Sequence, residues 1–366
     1  MENSKKNIYG MIRALSFAVI FCLLFAYFSN VFSPKGKTDS TGMSSCITGA
    51  YKGEAENSID VIMVGNSDVY RAINPIQIWE DKKITTCVMG MPSITTAEIY
   101  HKLAEMFKYQ SPKLVVFETD CMFNTINKFD ENGNLVDGDN KRSLKQNMAY
   151  GIQKFQENFK NIDEAIMAGI NYRFPLMKYA YRWQNLNRND FLNIKGKYKF
   201  IAKGFIADKA AQRFEHGKTY LGKKNAPPAE LNRNDEKYFE KIVKLCEKHN
   251  CRLALLSIPT GTSWNFSKHN AIDELAKKHK LTFIDYNTDM HKIDNFDWET
   301  DTKDGGNHLN YSGALKVTYA FEQELADTFG LEASVIDQDV INSWNEDTSK
   351  FYSEIVNEQT TTAEMV

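Results

Sequence analysis

Apolar and polar positions along this chain follow two different periods. Short, nearly continuous apolar runs occur at residues 59–65, 84–90, 113–120, 251–259 and 281–286. Stretches with apolar residues at helical spacing lie at residues 97–110, 234–250 and 268–280. Short apolar runs are typical of strands buried on both faces, and helices between them indicate a parallel sheet covered on both sides. The sequence therefore predicts an α/β fold with five parallel strands.

One apolar stretch is much longer than the others. Residues 14–32, "ALSFAVIFCLLFAYFSNVF", contain no charged side chain, and about 20 such residues suffice to cross a bilayer as a helix. Lys5, Lys6 and Arg13 precede it, so the positive-inside rule places residues 1–13 in the cytoplasm and the rest of the chain outside. A cleaved signal peptide is the alternative, although "YFSNVFSPKG" offers no small-x-small cleavage site. We expect a single-pass protein of the cell membrane.

The remaining pattern suggests a division of the chain. Residues 33–57 are small and polar and predict a linker, and residues 58–330 carry the strand and helix pattern. A basic, aromatic-rich segment at about 126–233 interrupts that pattern, and we expect a helical insertion there. Within it, "FDENGNLVDGDN" (129–140) predicts a hairpin turn through Asn132-Gly133. Residues 331–366 form an acidic tail with helix-like pieces.

Charge is unevenly distributed along the 366 residues. The net charge is −2, so no field of the whole protein selects a partner. Residues 141–224 contain 18 Lys/Arg and 6 Asp/Glu, a balance of +12. This block is either a solvated surface or a contact for an anionic partner such as a cell-surface polymer, lipid headgroups or nucleic acid. The apolar N-terminal stretch argues against nucleic acid.

Candidate chemistry starts where the first strand stops. In "IDVIMVGNSDVYRAINP" (59–75) the apolar run ends at Gly65-Asn66-Ser67, and reactive loops of parallel sheets lie beyond the carboxyl ends of strands. A serine there is also a common helix N-cap. It is not the elbow of α/β-hydrolases, because G-x-S-x-G would require glycine where Val69 stands.

A partner for Ser67 lies in "DTKDGGNHLNYSGALKVTYAF" (301–321). His308 is in a loop with Asp301 and Asp304 upstream. A serine nucleophile needs a base, and the base needs an acceptor for its other ring nitrogen. The remaining histidines, His269 among them, have no partner pattern nearby. Cys246 and Cys251 lack zinc-ligand spacing, and neither G-x-G-x-x-G nor a Walker lysine follows the first strand. We therefore expect no metal and no cofactor.

Five segments together resemble the SGNH/GDSL hydrolases, in particular membrane-anchored relatives of the D-alanyl transfer protein DltD and of polysaccharide O-acetyltransferases. They are "VIMVGNSDVYRAINP", "VMGMPSITTAEIYHKLAEMFKYQSPKLVVFE", "NYRFPLMKYAYRWQNL", "FIDYN" and "DGGNHLNYSGALKVT". The resemblance implies a three-layer α/β/α sandwich with a flavodoxin-like parallel sheet. It also implies Ser67 as nucleophile, His308 as base, and the N–H groups of Ser67 and Gly90 as the oxyanion hole.

Two positions depart from that family pattern. The aspartate usually stands three residues before the histidine, where this chain has Gly305. Either Asp304, four residues before His308, or Asp301 could take its role. The asparagine of the third block has no match, because "VVFETDCMF" offers Glu118 and Asp120, and a carboxylate would repel a developing oxyanion.

The resemblance implies a serine esterase or acyltransferase acting on acetyl or D-alanyl esters of a cell-surface polysaccharide or teichoic acid. Its expected partners are this glycopolymer or its acyl donor, a multipass membrane O-acyltransferase, and the membrane itself, but not nucleic acid. The two departures favour an alternative: a non-catalytic, membrane-tethered partner of such an O-acyltransferase or of a cell-envelope assembly complex.

Overall fold

The computed structural model describes residues 2–32, 49–123, 176, 179–186, 188–192, 199–217, 219–231, 233–333 and 337–356. The chain divides into two compact units. One comprises Met1–Ser45 with Asp137–Gly196, and the other comprises Cys46–Val136 with Lys197–Val366. The predicted hairpin turn at 129–140 lies outside the described residues.

The larger unit is built on a five-stranded parallel sheet, as the apolar runs predict. Its strands, in chain order, are β1 (Val61–Gly65), β2 (Thr86–Gly90), β3 (Leu114–Glu118), β4 (Arg252–Ser257) and β5 (Thr282–Asp285). Their spatial order is β2-β1-β3-β4-β5, and all four pairings are parallel. This is the flavodoxin-like order, in which ligand sites lie beyond the carboxyl ends of the strands.

Helices cover both faces of this sheet. They are α2 (Ser67–Ala72), α3 (Pro75–Lys82), α4 (Thr96–Met106), α6 (Arg233–Lys248), α7 (Phe266–His279), α8 (Tyr311–Asp327) and α9 (Gln338–Lys350). Ile62 and Val64 of β1 share a buried cluster with Leu103 of α4 and Phe239 of α6. Met63, which lies between them in the strand, points to the opposite face and is also fully buried. Burial on both faces explains why the strands read as unbroken apolar runs.

The smaller unit contains the long N-terminal helix α1 (Glu2–Phe32), a short 3-10 helix at Ala180–Asn185 and α5 (Arg188–Leu192). Within α1, Tyr9–Phe32 is long and apolar enough to cross a membrane, and a signal sequence would pass the same test. In the described part of the chain it is the one helix with this property.

Two of the predicted divisions contain structure that the sequence pattern did not indicate. Tyr51, near the end of the predicted linker, is buried against Tyr109. Residues 199–217 and 219–231, within the predicted helical insertion, form turns and extended chain without a helix. Gly204 in this segment has a left-handed φ of +97°, and residues 227 and 228 are both proline. Both features disfavour helices.

The acidic tail is partly folded. Its helix α9 belongs to the larger unit and buries Trp344 against Trp79 of α3. Asp347 of α9 binds Lys203, which also donates to Glu54 at 2.7 Å. Lys203 is fully buried. The acidic residue of the tail therefore neutralises a buried cation.

Candidate active site

The carboxyl ends of β1 and β2 meet in register, with Gly65 opposite Gly90. Helix α2 begins two residues after Gly65, with Ser67 as its first residue. The N-cap of this helix is Asn66, whose side-chain oxygen accepts the Asp68 N–H at 2.8 Å. The alternative that Ser67 serves as the cap is therefore wrong, and its hydroxyl is available for another contact.

That contact is with His308. Ser67 Oγ lies 2.7 Å from His308 Nε2, although 241 positions separate the two residues. On the other side of the ring, His308 Nδ1 lies 2.6 Å from Asp304 Oδ2. All three side chains are part-buried, with exposed fractions of 17% for His308 and 32% for Asp304. A chain of hydrogen bonds thus runs from a hydroxyl through an imidazole to a carboxylate, the arrangement that makes a serine nucleophilic.

The loop before His308 explains how an aspartate four residues away reaches its ring. Gly305 and Gly306 both take left-handed φ values, +72° and +92°, which turn the chain back on itself. Asp304 Oδ1 also accepts the backbone N–H of His308 at 2.7 Å. A Cβ on Gly306 would lie 2.5 Å from Cγ of Phe214, so space as well as φ requires glycine there.

Asp301, the other candidate to orient the histidine, is engaged elsewhere. It is fully buried, lies 2.7 Å from Lys316 Nζ, and accepts the Ser312 hydroxyl at 2.8 Å. It also accepts the backbone N–H of Asp297 at 2.7 Å. These contacts fix the loop to the start of α8, and the structure leaves the contact with His308 to Asp304.

The predicted oxyanion donors occupy different settings. Ser67 N–H is at the first position of α2, where helical N–H groups have no acceptor within their own helix. At Gly90, a Cβ would come within 2.6 Å of the Tyr70 ring. Met91 N donates to Gly65 O at 3.2 Å, and alternate residues of a strand direct their N–H groups to opposite sides. The Gly90 N–H therefore points away from β1, and its role as an oxyanion donor stays a prediction.

The two acids at the end of β3, Glu118 and Asp120, both have hydrogen-bond or ionic partners. Glu118 is 1% exposed and accepts the N–H groups of Asn66 at 3.3 Å and Asp120 at 2.6 Å. A Cβ on Gly65 would lie 2.5 Å from that of Glu118, so this close packing needs glycine. Burial, and then the charges of Asp68 and Asp120, raise the pKa of Glu118 well above its usual range. Burial at this position therefore favours the protonated form of Glu118.

Asp120 has a counterion. Its Oδ1 lies 2.7 Å from Lys268 Nζ, and its Oδ2 lies 3.5 Å from the Asn66 side-chain nitrogen. Asp68, on the other side of Ser67, is buried, and its pKa is also raised, by burial first and by Asp120 second. The Lys268 ammonium thus compensates the charge of Asp120 near Ser67. The sequence could not reveal this contact, because 148 positions separate Lys268 from Asp120.

Asp208 connects the segments that carry the serine and the histidine. Its carboxylate contacts Arg71 of α2 at 3.1 Å and Lys303, in the loop before His308, at 2.6 Å. Burial alone would raise the pKa of Asp208, but the hydrogen bond from Lys303 and the charges of Lys303 and Arg71 keep it below its ordinary value. Asp208 is therefore ionised and acts as an electrostatic link between the two halves of the site.

A second histidine has a carboxylate partner that the sequence pattern did not indicate. His269 Nδ1 lies 2.6 Å from Asp285 Oδ2, which also accepts the Trp264 indole N–H at 3.0 Å. Asp285 ends β5 and His269 lies on α7, so only the fold brings them together. Among the described residues, no group of three or more His, Cys, Asp or Glu side chains is placed to hold a metal ion.

Comparisons with known proteins add little to this geometry. No known family matches the chain, and no curated protein matches its sequence. Among solved structures, it is similar to the crystal structure of a putative acylhydrolase from Bacteroides fragilis, at 11% identity and a TM-score of 0.35. That match covers 80% of this chain and 99% of the other. A likeness this weak carries no information about function.

Proposed function

We propose that this chain is a serine-dependent ester hydrolase or acyltransferase of the SGNH type, with Ser67 as nucleophile, His308 as general base and Asp304 as the acid that orients it. The observation that supports this most is the pair of short contacts on either side of one imidazole, 2.7 Å to Ser67 Oγ and 2.6 Å to Asp304 Oδ2. Both lie within the range of a working triad.

The chemistry follows from these positions. Ser67 Oγ attacks the ester carbonyl carbon while its proton passes to His308 Nε2, and Asp304 stabilises the imidazolium through Nδ1–H. The Ser67 N–H, and Gly90 N–H as predicted from the resemblance, stabilise the oxyanion. The tetrahedral adduct then expels the alcohol, which takes the proton from His308. Water or a sugar hydroxyl, deprotonated in turn by His308, attacks the acyl-enzyme and releases Ser67.

The proposed substrates are acetyl or D-alanyl esters of an anionic cell-surface polysaccharide or teichoic acid. Two features support this choice. The apolar span Tyr9–Phe32 would tether the chain to the cell membrane. The surplus of +12 between residues 141 and 224 would favour a polyanion over a neutral ester. A multipass O-acyltransferase that delivers the acyl group is the proposed protein partner.

The second candidate is a non-catalytic, membrane-tethered partner of an O-acyltransferase or of a cell-envelope assembly complex. It is favoured by the acids Glu118 and Asp120 at the end of β3, where the SGNH family has an asparagine. The pairing of Asp120 with Lys268 at 2.7 Å weakens that objection, because the carboxylate is neutralised. Activity-based labelling separates the two candidates: a fluorophosphonate probe labels an activated serine and ignores an unactivated one.

The test uses the full chain in detergent. We expect p-nitrophenyl acetate turnover and fluorophosphonate labelling, and we expect Ser67→Ala to abolish labelling and reduce turnover by about 10³-fold or more. Ser349→Ala, in the exposed part of α9, is the matched control and should behave as wild type. Labelling that persists in Ser67→Ala, or an unlabelled wild type with a folded thermal transition, would remove Ser67 from the mechanism and favour the non-catalytic candidate.

A further inference from the structure

The C-terminal end of α1 packs against a folded segment of the same unit. Residues 9–24 of this helix are exposed, but Ser29 is 5% exposed and Val31 is fully buried. The segment that contacts this end comprises the 3-10 helix Ala180–Asn185 and α5. We call the described residues 179–186 and 188–192 the collar.

Arg182 of the collar holds the last residue of the helix. Its Nη1 donates to the carbonyl oxygen of Phe32 at 2.7 Å, and its Nη2 lies 3.1 Å from Asp190 Oδ1. The last carbonyls of a helix have no partner within the helix and carry partial negative charge, so a cation there is favourable. The side chains of Arg182 and Asp190 are 1% and 3% exposed.

A buried ion pair of this kind needs all of its partners. Removing one partner leaves a buried charged or donor group without full compensation, which is destabilising. If α1 were cleaved off as a leader, Arg182 would lose the Phe32 carbonyl as an acceptor. The contacts therefore favour a helix that stays attached to the mature chain.

Two exposed aromatic residues directly follow the members of the buried pair in sequence. Trp183 is 43% exposed and Phe191 is 40% exposed. Each is the immediate neighbour of a member of the ion pair, so both lie close to the end of α1. The apolar span Tyr9–Phe32 has 24 residues, which as a helix measure about 36 Å. Since the hydrocarbon core of a bilayer is about 30 Å thick, the Phe32 end reaches the headgroup region.

We propose that the collar is a membrane-contacting surface in which Trp183 and Phe191 insert into the outer lipid interface, and that the Arg182–Asp190 pair fixes it to a retained α1. Aromatic residues are enriched at that depth because their rings are apolar and the indole N–H finds a polar partner. The occupant is the bilayer, because the exposed aromatics adjoin Arg182 and Asp190 in sequence, and Arg182 contacts Phe32, where the apolar span ends. The lipid contact is independent of the proposed esterase activity.

Lipid-borne quenchers test the insertion. The full chain is reconstituted into vesicles whose lipids carry a spin label either near the headgroup or near the chain end, and tryptophan emission is recorded. Four of the five tryptophans lie in the other unit, at 79, 264, 298 and 344. We expect the shallow label to quench more than the deep one, and Trp183→Phe or Trp183→Gln to remove at least half of that quenching. Trp298→Phe is the matched control and should retain it.

Equal quenching in wild type and in both Trp183 variants would overturn the lipid contact. A separate measurement tests retention of α1. We expect the chain extracted from membranes to have an intact mass that includes residues 2–32, close to 42.0 kDa for the whole sequence. A mass lacking those residues, with Arg182 and Asp190 still in a folded chain, would overturn the retained helix.

Discussion

Lys268 Nζ lies 2.7 Å from Asp120 Oδ1 at the carboxyl end of β3, one strand away from the end of β1 that Ser67 follows. Asp120 is 4% exposed, and it contacts the side chain of Asn66, which caps the helix that begins at Ser67. The ammonium therefore offsets a buried negative charge close to the atoms on which an oxyanion would develop.

Removal of that ammonium should slow acyl transfer. In Lys268→Met the charge of Asp120 is uncompensated and repels the oxyanion, so we expect kcat for p-nitrophenyl acetate to fall by about 10-fold or more. In the double variant Lys268→Met with Asp120→Asn the repulsion is gone, and we expect most of the loss to be recovered. A double variant as slow as Lys268→Met, with an equal melting temperature, would show that the charge pair is irrelevant to the reaction.

Asp304 and Asp301 should give opposite results when each is changed to asparagine. Asp304→Asn removes the acceptor for His308 Nδ1–H, so we expect turnover to fall by about 10³–10⁴-fold with little change in melting temperature. Asp301→Asn leaves Lys316 facing a neutral amide in a buried place, so we expect lower stability and a smaller loss of turnover. Equal losses of turnover with equal melting temperatures would contradict the assignment of Asp304.

The sequence predicted the strands because their side chains are buried on both faces. Residues 59–65 and 84–90 differ from β1 and β2 by only two residues at their start. Helix α3, Pro75–Lys82, was not predicted, because its eight residues are too few to establish a helical period, although Asn74 and Pro75 carried the start signal. Local sequence patterns were thus sufficient to predict the sheet, but they did not predict this short helix.

The site was predictable only where its residues lie close in sequence. Asp304 and His308 share one loop, and Ser67 follows a strand, so a pattern could suggest them. Lys268 and Asp208 come from segments whose charges look like ordinary surface, and only the fold places them beside the loop and the helix of the site. The buried Lys203 shows the same limit, since its partner Asp347 is 144 positions away.

Asp208 should matter for kcat more than for KM. Its carboxylate holds Arg71 of the helix that starts at Ser67 and Lys303 of the loop that contains His308. Asp208→Asn loosens this link, and we expect kcat to fall by about 10-fold with KM nearly unchanged, since small displacements of reacting groups are costly.

The matched control for Asp208 is Glu299→Gln, which removes an ion pair with Arg213 in which both side chains are more than half exposed. Such pairs contribute little, and we expect wild-type kinetics. If Asp208→Asn and Glu299→Gln had the same kcat as wild type, Asp208 would have no positioning role.

Glu322 and Glu324 of α8 should give opposite pH dependences of stability. Glu322 is fully buried, and burial, then the nearby Asp81, raises its pKa to about 8. Between its ordinary pKa near 4.5 and about 8, the unfolded chain loses a proton that the folded chain keeps, so stability falls as pH rises through this window. We expect Glu322→Gln to raise the free energy of unfolding by about 2 kcal/mol near pH 8 and not near pH 4.

Glu324, two residues later, is the internal control. Partial burial alone would raise its pKa, but hydrogen bonds from Lys292 and Thr328 lower it. Its stabilising effect is therefore present above its ordinary pKa and is lost as pH falls through the lowered value. We expect Glu324→Gln to lose about 0.5–1 kcal/mol at neutral pH and nothing near pH 3. Thermal and denaturant unfolding of both variants across this range checks the pair, and a Glu322→Gln chain less stable than wild type near pH 8 would contradict a buried neutral acid.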